Sequence, residues 1–470
     1  MRLNSLKSDL TDFFFCFKQV LKMAKRKKQV PFSVVNPHAA GIDVGSRFHW
    51  VSIGPDEGQS REFGAFTEDL HALCSWLKSA QIQTVAMEST GFYWKQLFVM
   101  LQSYGMEVYL VNASYTKNVK GRKPSDMADS QWIWKMHSVG LLPASFQPDH
   151  FTEELRTYTR HRKRLISGAS DCVNRMQKCL VLMNIQLPIV LSDITGKSGT
   201  AIIEAILAGE RDGSKLANLV DRRVKADKAT ISKALTGFWR TDHLFELQQH
   251  WQMYKQYRAQ LEACDKQIDS VLQSRVEATG QAELVYEPKK KKRRQKNAPS
   301  FSVETYAYQL SDGVDLLEVN GISFHLILTL ISEVGLDLSQ FPTAKHFVSW
   351  LSLCPNKKVS GGKVLSSRTR KNKSRLKQAF KQSAIGVSKV KTDPLAHYYR
   401  RMAAENGKGT AITATARKLA IIVYNMVEKG EPYRPYPLHE YQQKVRDKKI
   451  KHIQRTIKKF DIAAHEVAFA

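Results

Sequence analysis

Residues 39–54 read AAGIDVGSRFHWVSIG. The apolar run from Ala39 is interrupted by one carboxylate, Asp43, and closes on Gly45; after Arg47, β-branched and aromatic residues alternate with others. That pattern predicts a strand, a tight glycine turn and a second strand leaving it. Working outward, Leu70–Lys78 has helical spacing, Gln83–Met87 (QTVAM) is a short buried-strand run, Thr90–Tyr104 is helical again, and Met106–Val111 (MEVYLV) is another apolar strand. Strand alternating with helix implies an α/β domain with a largely parallel sheet, its boundaries set at 36–150.

Asp43 stands where the first strand meets its glycine turn, and Glu88 directly follows QTVAM. In a parallel sheet both project near the strands' carboxyl ends, where ligands gather in open α/β sheets. Asp126 and Asp129 lie in PSDMADSQWIWKMH, a helix start with Pro124 and Ser125 at the cap, and at i and i+3 they share a face. Four converging carboxylates repel one another. Two Mg²⁺ ions resolve the conflict, because magnesium prefers carboxylate oxygen and keeps positions open for phosphate. Taken singly, Asp126 reads more readily as a first-turn residue favoured by the helix dipole, and Glu88 as a cap for the following helix; it is the set of four that points to metal. Asp43 is the stronger case, since a carboxylate interrupting an apolar strand is expensive without a partner. His49, His137 and His161 form no ligand spacing and read as structural.

The chain has 470 residues, and 72 Lys+Arg against 44 Asp+Glu leave a net charge of +28. An excess of that size points to a polyanionic partner. Hydrophobic content of 43% and charged content of 25% are those of a folded protein, which excludes a disordered basic tail as the whole story. At ~100–200 residues per domain, the length allows two to four domains, and three are expected. Six cysteines are scattered with no C-x-x-C pair, which argues against a zinc knuckle or disulfide framework and for a reducing, cytoplasmic compartment. The aromatic run Phe13–Phe17 is bracketed by Asp12 and Lys18, too short for a signal core or a spanning helix, so no membrane association is expected. Residues 1–35 are read as a basic arm, with Met23 a second candidate start.

From Thr152 the texture changes. Leu155, Tyr158, Arg162, Leu165, Ala169, Cys172, Met176, Cys179 and Met183 follow a 3-4 repeat, broken by Arg162 at a seam position. This predicts a long helix, half of a coiled coil whose other half is Leu244–Leu272, with a small helical insert over 190–236; the hairpin spans 151–285. Residues 286–300 (YEPKKKKRRQKNAPS) form a basic linker, in which Lys289, Lys290, Lys291, Lys292, Arg293 and Arg294 contact nucleic acid or are simply a solvated charge run. A mainly helical domain follows over 301–430, then a basic tail over 431–470 expected to order on binding.

Within that domain, Val359-Ser360-Gly361-Gly362-Lys363 sits in a basic bed: Lys357, Lys358, Lys363, Arg368, Arg370 and Lys371. Two glycines after a serine allow close backbone approach and an anion nest of N–H groups. The serine hydroxyl could attack a phosphodiester held by these cations. The plainer alternative is a Ser-Gly-Gly turn with phosphate-contacting neighbours and no covalent role. Phe341, Phe347, Trp350 and Phe380 fall at helical spacing and read as core rather than stacking platforms.

GIDVGS is similar to the phosphate-binding turn of actin-like ATPases and sugar kinases, but Arg47 stands at that turn's hydroxyl position and no second copy follows, so ATP hydrolysis is the weaker reading. A more extensive resemblance is carried by GIDVGS with Asp43, AMESTGFYW with Glu88, and KPSDMADSQW with Asp126 and Asp129, which look like the DEDD tetrad of the insertion-sequence-110 transposase family. FPTAKHFVSWLSLCPNKKVSGGKVLSS followed by AITATARKLA resembles that family's C-terminal domain, closest to the insertion-sequence-1111 subgroup. The resemblance covers roughly residues 36–430.

It implies a RuvC-like (ribonuclease-H-like) α/β domain, a coiled-coil spacer and a mainly helical transposase domain. It also implies site-specific DNA recombination in which the tetrad binds Mg²⁺ and a serine, by position Ser360, bonds covalently to a DNA phosphate. Guidance by a structured non-coding RNA, action on double-stranded DNA of element ends and target, association with the nucleoid, and a homo-oligomer from dimer to tetramer follow from the resemblance alone. The alternative is a metal-dependent nuclease of the Holliday-junction type, in which Ser360 only contacts phosphate.

Overall fold

The computed structural model describes residues 33–116, 125–288 and 296–460. They divide into two compact units, up to Gln147 and from Pro148 onward.

In the first unit β1 (Ala39–Val44), β2 (Phe48–Ser52) and β3 (Ser60–Gly64) run antiparallel in succession, whereas β4 (Thr84–Glu88) lies parallel to β1 and β5 (Glu107–Val111) parallel to β4. The sheet order is β3-β2-β1-β4-β5. The sheet is therefore mixed, not largely parallel: the turns after Val44 and Ser52 are too short for a crossover, which only the helices α1 (Thr67–Ser79) and α2 (Trp94–Ser103) provide. Helix α2 begins at Trp94 rather than at Thr90, because Gly91 turns through a left-handed backbone at φ 59°.

One sheet face, with Ile42, Val44, Val85 and Met87, packs on Leu70, Leu73 and Leu77 of α1 and Leu97 and Leu101 of α2. After β5 comes the single turn α3 (Ala113–Thr116), and then α4 (Asp126–Ser138), whose Ile133 packs on Ala86 and Val111 from the opposite face.

The second unit is helical. Helix α5 (His150–Leu182) and helix α10 (Thr241–Thr279) lie side by side. Their contacts run antiparallel: Cys264 Sγ reaches the Tyr158 carbonyl, and Leu247 and Trp251 share a core with Met176 and Leu180. The insert supplies α6 (Leu187–Val190), α7 (Lys197–Leu207), α8 (Gly213–Ala217) and α9 (Lys228–Ala234), whose Ile202, Ile203, Ile206, Leu216 and Ile231 close over the same core.

Then follow α11 (Val303–Leu310), α12 (Phe324–Glu333) and α13 (Ala344–Trp350), the hairpin of β6 (Lys358–Ser360) and β7 (Lys363–Ser366), and α14 (Arg375–Ser388), α15 (Pro394–Asn406), α16 (Lys408–Lys429) and α17 (Leu438–Phe460). Phe341, Phe347, Phe380 and Tyr424 are buried here as one aromatic cluster with Trp350 against Phe341. Glu333, at the end of α12, takes two hydrogen bonds from the Arg160 guanidinium at 2.7 and 3.0 Å, which joins α12 to α5. Among the described residues no helix is long and apolar enough to cross a membrane.

Candidate active site

The parallel register pairs Ile42 with Met87, so Asp43 and Glu88 are the next residues on adjacent strands, both at the carboxyl ends. Glu88 is the last residue of β4 rather than the first beyond it. Alternation along the strands puts Asp43 on the face of Gly41 and Glu88 on the face of Ala86, which is the face that α4 covers.

Helix α4 lies against β1 with no room to spare. A Cβ on Gly41 would strike the backbone of Trp134 and Ser130, so only glycine permits this approach. The C-terminal end of α4 is pinned at the start of the strands, where His137 Nε2 and Thr84 Oγ1 are 2.9 Å apart and Asn36 donates to the His137 carbonyl. With His137 at the strand starts and Ser130 over Gly41, the first turn of α4, carrying Asp126 and Asp129, falls at the strands' carboxyl ends.

That turn is fixed sideways by a hydroxyl chain. Ser52 Oγ lies 2.6 Å from Ser130 Oγ and 2.7 Å from Ser60 Oγ, and Gln131 Nε2 donates to Ser60 Oγ at 3.2 Å. Ser125 caps the helix by accepting from the Ala128 N–H at 3.2 Å, as its place before the first turn predicts.

The four sequence-predicted acids thus share one end and one face of the sheet. Glu88 is buried, Asp43 and Asp129 are half-buried and Asp126 is exposed. As placed, no three His, Cys, Asp or Glu side chains among the described residues already form a group that could hold a metal ion. The donors are nevertheless all hard carboxylate oxygens, the chemistry that suits magnesium.

Glu88 is further held by two hydroxyls that the sequence did not reveal. Thr90 donates to Oε1 at 3.0 Å and Thr116 donates to Oε2 at 2.8 Å. Thr90, two residues on, could have been found from its spacing; Thr116 is brought in by α3, and no local signal announces it. The pKa of His137 is pushed down to about 4 by burial, and that of His49 also falls on burial, which fits their structural roles.

In the second unit Ser360 ends β6, opposite Lys363. Gly361 and Gly362 have φ of 54° and 74°, two successive left-handed residues that make the two-residue hairpin turn. The expected anion nest, which needs alternating hand, does not form. Ser360, Lys357, Lys358, Lys363, Arg368, Arg370 and Lys371 are all exposed, and no residue from Pro355 to Lys373 is buried. Val359, Val364 and Leu365 are exposed beside them.

The base of this arm is tied down. Pro355 bridges to Thr369, Asn372 donates to Ser352 Oγ at 3.3 Å, and buried Lys377 donates to the Arg370 carbonyl at 3.2 Å. Burial, then Lys381, lowers the pKa of Lys377, which sets it apart from the exposed basic field. Lys289, Lys290, Lys291, Lys292, Arg293 and Arg294 lie outside the described residues; Lys296, just beyond, pairs with Asp193 at 2.6 Å.

Two family models match the chain. One, the DEDD transposase model of IS110, covers residues 40–185 and so takes in all four acids; the other, described as the transposase IS116/IS110/IS902 family, covers residues 315–400 and the serine hairpin. No curated protein gives a significant match. The five-stranded mixed sheet with its helices is the RuvC-like α/β part, followed by a mostly helical part. The chain belongs to the IS110 family of transposases.

Proposed function

We propose that this transposase cuts and rejoins the DNA strands of an insertion sequence with Ser360 as nucleophile and a magnesium centre on Asp43, Glu88, Asp126 and Asp129. The observation that supports the serine most is its position: an exposed hydroxyl beside a two-glycine turn, on an arm whose base is fixed and whose surface is cationic. Lys363, directly opposite, together with Lys357, Lys358, Arg368, Arg370 and Lys371, holds a phosphate against it. Ser360 Oγ attacks phosphorus, an Oγ–P bond forms, and one P–O ester bond breaks. The proton lost by the serine balances the proton gained by the departing strand oxygen. Attack by the hydroxyl of another strand reverses these steps and frees the serine.

In the first unit Asp43 and Glu88 would hold the metal from the sheet and Asp126 and Asp129 from α4. Bound there, magnesium would supply Lewis-acid stabilisation of phosphate charge and lower the pKa of water. Thr90 and Thr116 fix the Glu88 carboxylate, and the Ser52–Ser60–Ser130 chain fixes the helix bearing the two aspartates. Membership of the insertion-sequence-1111 subgroup, a structured guide RNA, a homo-oligomer from dimer to tetramer, a cytoplasmic location on the nucleoid, and phosphate contact by Lys289–Arg294 complete the reading.

The grouping of the acids at one sheet end favours a second reading, a metal-only nuclease of the junction-resolving type. Incubation with element-end DNA and magnesium separates the two. The wild type is expected to give a denaturant-stable protein–DNA adduct that Ser360→Ala does not. Cleavage without any adduct transfers the assignment to the nuclease, and an adduct that survives Ser360→Ala removes Ser360 as the nucleophile in favour of another side chain.

A further inference from the structure

Helix α17 is 23 residues long and buries none of them. Helices in proteins owe most of their stability to packing one face, so a helix this charged and this exposed calls for a partner. Its inner face is nevertheless organised. Tyr441, Val445, Lys448, His452 and Ile453 recur at helical spacing along one wall of a cleft of about 1090 Å³, whose opposite wall is α15 and α16. That volume is at the upper end of the ~300–1,000 Å³ usual for small-molecule pockets, and the cleft is a groove that follows α17 from Tyr441 to Ile453.

The cleft lining is largely apolar, with Leu395, Ile421, Ile422, Val445 and Ile453, and two further chemistries are set into it. Tyr398, Tyr433, Tyr436 and Tyr441 offer aromatic rings, and Arg401, Lys418, Arg434, Lys444, Lys448 and Lys449 offer cations beside the Glu405 carboxylate. The two are interleaved: Lys418 Nζ lies 4.5 Å from the centroid of the Tyr398 ring, and Lys444 Nζ 5.7 Å from that of Tyr436. The pKa of Lys418 is lowered by burial and then by the neighbouring cations Arg401, Lys448, Arg417 and Lys444. Mutual repulsion of this kind is relieved by a ligand with repeated negative charge.

A duplex brings phosphates but keeps its base faces stacked within itself, and a lipid headgroup brings phosphate without a ring. A single strand brings both, with bases free to stack on aromatic faces while the backbone follows the positive groove. We propose that the cleft between α17 and the α15–α16 pair takes the unpaired nucleotides of a single-stranded nucleic acid, bases on the tyrosines and phosphates on the lysines and arginines. The site lies apart from the serine hairpin in sequence and rests on no part of the strand-transfer chemistry.

Fluorescence anisotropy of the full-length protein with labelled unstructured RNA, DNA of the same sequence, and duplex DNA tests this. Tyr436→Ala and Tyr441→Ala are each expected to weaken single-strand binding about tenfold and duplex binding by less than about twofold, while Tyr441→Phe retains it. Lys444→Gln with Lys448→Gln is expected to flatten the dependence of log affinity on log salt by about 1.4 in slope, roughly 0.7 per phosphate contact. Tighter binding of RNA identifies an RNA occupant, and equal binding identifies any unpaired strand; both support the site. Equal loss of single-strand and duplex binding, or no loss, overturns it. Should an alanine variant misfold, photocrosslinking of the wild type to a thiouridine-containing strand decides: adducts within 433–453 support the cleft, and adducts confined to 357–371 overturn it.

Discussion

Arg162 on α5 and Asp265 on α10 meet through two hydrogen bonds, Nε to Oδ1 at 2.5 Å and Nη2 to Oδ2 at 3.3 Å, and the pair is buried. The charge that breaks the apolar seam of one helix is thus answered by a charge on the other. The same two residues hold the returning chain: Arg162 donates to the Asn297 carbonyl at 3.1 Å, and Asp265 accepts from the Ser300 N–H at 3.0 Å. Arg162→Ala leaves Asp265 buried without its partner and should cost about 3–5 kcal/mol. Arg162→Met combined with Asp265→Leu should recover most of that loss, as read from denaturant midpoints of the helical unit.

Gly41→Ala drives a methyl group into the backbone of α4 at Ser130 and Trp134. The helix must shift, with a cost of about 1–3 kcal/mol, and Asp126 and Asp129 shift with it. The expected result is a lowered thermal midpoint together with loss of magnesium-dependent cleavage, measured on the same preparation.

Thr116→Val removes a hydroxyl that donates to Glu88 while keeping the side chain's shape. Cleavage should fall about tenfold, since a buried hydrogen bond to a charged group contributes ~1.5–3 kcal/mol. Thr116→Ser should restore most of the activity, which separates orientation of Glu88 from simple packing.

Gly361→Val and Gly362→Val place β-branched residues at left-handed positions, at about 1–2 kcal/mol each. The hairpin should open and strand transfer collapse. Because no residue from Pro355 to Lys373 is buried, the thermal midpoint should hardly move, a combination that distinguishes a turn requirement from general destabilisation.

His137 carries a pKa of about 4 against an ordinary 6.5 because burial disfavours the imidazolium. Between those values the unfolded chain binds a proton that the folded chain refuses. Its contribution to stability is therefore complete above about pH 6.5 and is lost as the pH falls towards about 4. The thermal midpoint should drop across that window, and His137→Gln should flatten the drop.

Much of this was legible in the sequence. The strand–turn–strand around Asp43 and the seam residues of α5 are where their apolar spacing predicts. Edge strand β3 (SREFG) was not seen, because its residues are exposed or half-buried and carry no alternation of apolar side chains. The antiparallel pairing of β2 with β3 was missed with it. Asp43, Glu88, Asp126 and Asp129 could be nominated one by one; their common face depends on Gly41, whose role lies in what touches it rather than in its neighbours along the chain. Thr116 and the pairing of Arg162 with Asp265 are contacts between distant residues, 28 and 103 positions apart, to which local pattern is blind.

The exposure of the whole serine hairpin also bears on the life of damaged copies. An arm that buries nothing can lose its serine, its glycines or its length without opening a cavity anywhere in the protein. Selection on folding therefore does not remove such defects. A chain with a ruined hairpin is expected to accumulate to normal levels, keep its other surfaces, and compete with intact chains for the same nucleic acid, so that loss of chemistry in one copy restrains the element as a whole.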